Sequence, residues 1–219
     1  MAVTLQDRVH AAIRADILAG RFRPGQRLKI RDLAASLDTS PMPVRAALQR
    51  LVAEGALEAE ALRSVRVPAL SRAGLENLLP VRLALEGLAA EAAGARIDAA
   101  GIATLTAGVA RMDQALGAHD FAAYLTENSQ FHLTLYRAAG NPVLLRMIEQ
   151  LWLQAGPAFT WLVTSDDLSP RLNSFHRDCL AALADGDGRA ARAAIEADLR
   201  YFGQHLLMLL DLDPAHRNA

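Results

Sequence analysis

The chain has 219 residues, 52% of them hydrophobic, and a net charge of −1, which suits one large or two modest globular domains and excludes a disordered chain. No uninterrupted apolar run of about 18 residues occurs, and the N-terminus lacks a secretory leader pattern, so a cytoplasmic chain without membrane spans is expected. The one cysteine, Cys179, excludes an internal disulfide and a multi-cysteine zinc cluster, and reads as a small core residue.

The charge is unevenly spread. Residues 1–70 carry 11 Lys/Arg and 7 Asp/Glu, a balance of +4, and the remainder carries −5. A basic N-terminal part on an acidic remainder points to a polyanion partner for the first part only.

In chain order, Leu5, Val9, Ile13 and Ile17 recur at helical spacing and predict an amphipathic helix over Leu5–Ala19, stopped by Gly20. Pro24 and Gly25 predict a turn within Arg21–Leu28. A short second helix follows over Ile30–Leu37, with Leu33, Ala34 and Leu37 inward, and Asp38–Thr39 turn the chain. Ser40 and Pro41 read as an N-cap and first helical residue of a third helix, running through Val44, Leu48 and Leu51 to Gly55. Two short helices so close together have the spacing of a helix-turn-helix. Ala56–Val67, with Arg63, Ser64 and Arg66 between apolar ends, suits a small β-hairpin, or wing. Ser71 caps the next helix, which places the linker at Pro68–Ser71 and divides the chain into residues 1–70 and 71–219.

From there to Leu212, Ala- and Leu-rich segments are broken at Gly94, Gly117–Asp120, Gly140–Pro142, Asp166–Pro170 and Asp185–Gly188. About six helices follow, with the loop economy of an antiparallel bundle. The expected fold is mainly α: an N-terminal winged helix-turn-helix with a small β-wing, joined to an all-α antiparallel helical bundle.

Leu5–Val67 resembles the N-terminal domain of the GntR family of bacterial transcription regulators. The matching stretches are Ala19-Gly20-Arg21 with Pro24 to Leu28, Arg31-Asp32-Leu33-Ala34, Ser40 to Arg45, and Ala47 to Leu51 leading to Glu54-Gly55. The remainder, from Arg82-Leu83-Ala84-Leu85-Glu86, resembles the FCD-type sensor domain of the FadR branch in its short, six-helix form. The resemblance implies a homodimer that binds a double-stranded DNA operator, usually as a repressor, under control of a small organic-acid effector.

The start of the third helix offers amide N–H groups and the Ser40 hydroxyl to a phosphate, and its side chains face the major groove. The Arg45 fork suits a guanine edge, with a surface ion pair as the alternative, and Arg31 matches another DNA-contacting position of the family. Arg50, Lys29 and Arg66 read as phosphate contacts or as solvated charges. Two departures stand out. Pro41-Met42 occupies the place of the family's Arg-Thr, leaving Met42 at a DNA-facing position. Arg63-Ser64 replaces the usual Arg-Gly of the wing tip.

In the second part, polar residues interrupt apolar helix stripes: Asn128 and His132 between Leu125 and Leu135, His176 between Leu172 and Cys179, and Asp198 between Ile195 and Phe202. Burying them unpaired would cost roughly 1–3 kcal/mol for each neutral group and more for a charge. The resemblance supplies a common partner, because many sensor domains of this branch bind a divalent metal through an Asp and three His. His132 and His176 match two of those His, Asn128 stands at the Asp position, and Asp198 stands at a His position. Such a set suits zinc or nickel, with a metal-free polar pocket as the alternative. His205, two turns beyond Asp198, reads as pocket periphery or core. Arg82 suits capture of an organic acid, or an i,i+4 pair with Glu86. Two rival functions are a helical-bundle metalloenzyme using His132, His176 and Asp198, and a ligand-binding adaptor without DNA activity. No Glu plus Glu-x-x-His di-iron set and no nucleophile motif supports the enzyme.

Overall fold

The computed structural model describes residues 4–60, 64–162 and 171–212. Helix α1 (Leu5–Leu18) opens on a reciprocal cap, in which Thr4 accepts from the Asp7 amide and Asp7 accepts from the Thr4 backbone. Its buried stripe of Val9, Ile13 and Ile17 packs on α3 (Pro41–Ala53), with α2 (Ile30–Ser36) completing the head. Ser40 holds the N-cap position of α3 without a side-chain capping bond, so its hydroxyl stays exposed.

The wing is a three-stranded antiparallel sheet in the order β1 (Arg27–Leu28), β3 (Val65–Arg66), β2 (Glu58–Ala59). The expected hairpin is β2–β3. The third strand, β1, lies where the sequence reading has only a turn segment. It aligns Leu28 with Val65 and buries Leu28, so the strand that follows the Pro24-Gly25 turn seals the head's core.

The remaining described helices are α4 (Arg72–Gly94), α5 (Ala99–Gly117), α6 (Phe121–Ala138), α7 (Pro142–Ala155), α8 (Phe159–Leu162), α9 (Ser174–Ala184) and α10 (Gly188–Leu212). Ser71 caps α4 through the Gly74 amide, and Asn141 caps α7 ahead of Pro142. A 3-10 turn, Gly156–Ala158, joins α7 to α8. The predicted break at Asp166–Pro170 lies outside the described residues. Long helices α4 and α10 pack along each other, and α5, α6, α7 and α9 close the bundle around them. Cys179 is fully buried there, and burial pushes its thiol up to about 12, leaving it an inert core residue.

The head is docked on the bundle. Arg14 of α1 bonds Glu149 of α7 at 3.0 Å. Gly20, at φ +63°, and Gly156 let backbone meet backbone: a Cβ on Gly20 would stand 2.9 Å from the Gly156 carbonyl oxygen, and one on Gly156 2.9 Å from that of Ile17. No described helix is long and apolar enough to cross a membrane.

Candidate functional site

On the head, Arg31, Ser40, Met42 and Arg45 are all exposed, Met42 at 72%. Neither Arg31 nor Arg45 forms an ion pair among the described residues. Arg45 and Gln49 of α3 line one surface depression with Ser64 and Val65 of the wing, so the third helix and the wing flank a common groove. The other predicted contacts are placed differently. Arg50 turns back to Asp7 and Glu54, each at 3.2 Å, so in the free chain it is an ion-paired residue and not the solvated charge of the sequence reading. Arg66 pairs with Glu58 at 2.7 Å, and the Ser64 hydroxyl donates to Glu60 at 2.9 Å. Arg63 lies outside the described residues.

In the bundle, α6, α9 and α10 bring three predicted ligands together. His132, His176 and Asp198 are buried, and one donor atom of each lies within 4.8 Å of the others. The His132 and His176 Nε2 atoms are 3.1 Å apart, and Asp198 Oδ2 is 3.7 Å from His132 Nε2. Asn128, half-buried one turn before His132, lines the same cavity. His205 does not line it: its Nδ1 meets the Tyr201 carbonyl at 2.8 Å and its ring rests on Tyr201.

The hydrogen-bond chain behind His132 fixes its tautomer. The Glu86 carboxylate accepts from Arg82 Nε at 2.6 Å, from the Tyr136 hydroxyl at 2.6 Å and from Trp152 Nε1 at 2.9 Å. Tyr136 spends its proton on Glu86, so its oxygen must accept from His132 Nδ1, 3.0 Å away. The His132 Nε2 lone pair is thereby turned toward His176 and Asp198, which is how a second hydrogen bond commonly orients a metal-binding imidazole.

Electrostatics agree with this. Burial, with the nearby His176 and Arg82, holds His132 well below the ordinary histidine range, and burial lowers His176 to about 4, so both rings are neutral near pH 7. Burial raises Asp198 to about 8, reinforced by Glu86 and opposed by Arg82. Asp198 Oδ1 and His176 Nδ1 have no hydrogen-bond partner. Two neutral imidazoles facing a buried carboxyl whose Oδ1 has no partner fit a divalent cation, which would displace the proton Asp198 holds near pH 7.

Arg82 forms the expected i,i+4 pair with Glu86, is buried, and lies on the cavity wall. Its guanidinium also lies 5.2 Å from the Trp152 ring and 5.4 Å from that of Phe159. Sequence reasoning missed Tyr136 and Trp152, and took Glu86 only as Arg82's neighbour. The available signal was Glu86 on the apolar stripe of Leu75, Leu78 and Ala89, a place a lone carboxylate occupies only with several donors.

Comparisons with known proteins agree with this architecture. Residues 5–67 match the model of the bacterial regulatory proteins of the gntR family, and residues 77–201 match the FCD domain. The chain is 30% identical over 193 residues to the HTH-type transcriptional regulator McbR of Escherichia coli (strain K12), covering 87% of each. It is 30% identical to a probable D-xylose utilization operon transcriptional repressor of Paenarthrobacter nicotinovorans, covering 88% of this chain and 84% of that one. The solved structure of E. coli McbR/YncC superposes with a TM-score of 0.86 at 28% identity, covering 95% of this chain and 99% of that one. The chain therefore belongs to the gntR family of bacterial regulatory proteins with an FCD domain, and is a DNA-binding transcription regulator and not an enzyme.

Proposed function

We propose that the chain works in the cytoplasm as a homodimeric repressor whose hold on a pseudo-palindromic operator is set by a divalent metal and a small organic acid in the bundle. The observation that carries this is the convergence of His132 Nε2, His176 Nε2 and Asp198 in one buried cluster, whose His132 and Asp198 line the cavity beside Asn128, a weaker fourth donor. Zinc or nickel suits two imidazoles better than magnesium does. When bound, the metal would supply positive charge and open positions for a carboxylate, with Arg82 at the wall beside it. DNA contact falls to Arg31, Ser40, Met42 and Arg45 on the head, with Arg63, Ser64 and Arg50 as wing and backbone contacts.

The boundary between the two units is best drawn at residues 70 and 71, where Ser71 caps α4. A route between the sites runs through the end of α7 and the turn into α8. Trp152 and Phe159 line the cavity, and Gly156 between them carries the head's Gly20. A ligand that shifts Trp152 or Phe159 therefore shifts the seat of α1, which is the differential contact that coupling requires.

Elemental analysis after gentle purification, with calorimetric titration of zinc, tests the metal. One equivalent is expected for the wild type, and a loss of at least tenfold in zinc affinity for His132→Ala. Metal below stoichiometry in every preparation, with His132→Ala as stable and as ligand-responsive as the wild type, would leave only core polar residues.

A single head per chain and a palindromic operator require two-fold pairing. Val81, Ala84 and Leu88 form an exposed stripe on α4, and Val143 and Met147 form another on the adjoining α7, with Val143 at 56% and Leu88 at 48% exposure. Sedimentation equilibrium of the full chain is expected to give a dimer, and Leu88→Glu a monomer with unchanged helicity. A wild-type monomer at micromolar concentration contradicts this pairing.

A further inference from the structure

Among the described residues, the cavity is polar at one end only. Arg82, Asn128, His132 and Asp198 cluster at its floor, and the walls include Leu75, Leu79, Leu172, Leu199, Phe202 and Leu206. Two other lining residues carry polar side-chain atoms, and both are committed elsewhere. The Tyr124 hydroxyl donates to the Leu172 carbonyl at 3.1 Å, and Trp152 Nε1 donates to Glu86. Beyond the floor, a bound molecule meets carbon on every described wall residue whose polar atoms are not already committed. The floor itself is open to a ligand: the Asn128 amide has no hydrogen-bond partner among the described residues, and Asp198 Oδ1 is unpartnered.

We propose that this cavity selects a small monocarboxylate with an apolar body over hydroxylated or multiply charged acids. The proposal rests on the reading of the site as a carboxylate receptor and adds what the rest of the ligand must be. The carboxylate meets the floor, where Arg82 and the metal supply positive charge. Each hydroxyl carried past the floor loses its water and gains no partner, a penalty of roughly tenfold in affinity per group. A second carboxylate would fare worse, because among the described residues no cation other than Arg82 lines the cavity. The cavity's free space, about 50 Å³, holds a few waters, so the ligand must be small.

Hexanoate and gluconate share a six-carbon chain and one carboxylate, and gluconate adds five hydroxyl groups with their bulk. In calorimetric titrations of the zinc-loaded full chain, hexanoate is expected to bind at least tenfold more tightly than gluconate. Leu79, half-buried on the α4 wall, provides the matching variant. Leu79→Ser is expected to weaken hexanoate about tenfold, through lost apolar contact, and to leave zinc affinity unchanged. Gluconate binding as tightly as hexanoate, or Leu79→Ser leaving hexanoate affinity intact, overturns the proposal and leaves the carboxylate reading standing. Failure of both acids to bind zinc-loaded protein overturns the carboxylate reading as well.

Discussion

Arg45→Ala is expected to abolish sequence-specific DNA binding and leave unfolding temperature, dimerisation and zinc binding untouched. The side chain is exposed on α3, forms no ion pair among the described residues, and lines the groove between α3 and the wing. A bidentate arginine–guanine contact contributes about 1–3 kcal/mol of discrimination, and a two-fold dimer loses two of them. Residual binding should be weak and steeply salt-dependent, because phosphate contacts carry it. Fluorescence anisotropy on the footprinted operator and on a scrambled duplex checks this. Wild-type selectivity in the variant would remove α3 from its assigned role.

Glu86→Ala is expected to destabilise the fold by roughly 3–5 kcal/mol, the usual result of stranding one partner of a buried ion pair. The substitution leaves the Arg82 guanidinium, the Tyr136 hydroxyl and the Trp152 ring N–H without their shared acceptor at once. At 2–4 °C per kcal/mol for a chain of this size, Tm should fall by about 10 °C. A double variant, Arg82→Met with Glu86→Leu, should recover part of the loss, because the stranded charge is then gone. A change below about 1 kcal/mol for Glu86→Ala would show that the network contributes little.

Much of this organisation was legible in the sequence because its signals are local. Helical spacing of apolar residues, Pro41 after Ser40, Ser71 before α4 and Asn141-Pro142 before α7 each act within one turn. His132, His176 and Asp198 could be singled out because a polar group on an apolar stripe must find a partner. What stayed hidden depends on long-range contact. Strand β1 is two residues long and has no periodicity of its own, and it exists because Arg27 and Leu28 pair with Arg66 and Val65, far along the chain. Arg50 reads as a free cation until α1 brings Asp7 against it. Glu86 reads as a surface partner for Arg82 until α6 and α7 bring Tyr136 and Trp152 to the same carboxylate.

The most direct measurement for the account is operator affinity of one preparation of the full chain, compared metal-free, zinc-loaded, and zinc-loaded with a carboxylic acid that it binds. Gly156, between the cavity-lining Trp152 and Phe159, packs on the head's Gly20, so zinc with the acid should change operator affinity by about 5–150-fold, the usual range of coupling between two sites. The acid should have no effect on metal-free protein or on His132→Ala. Operator affinity that stays the same across all three states, in protein shown to bind both zinc and the acid, would contradict control of the DNA head from the bundle.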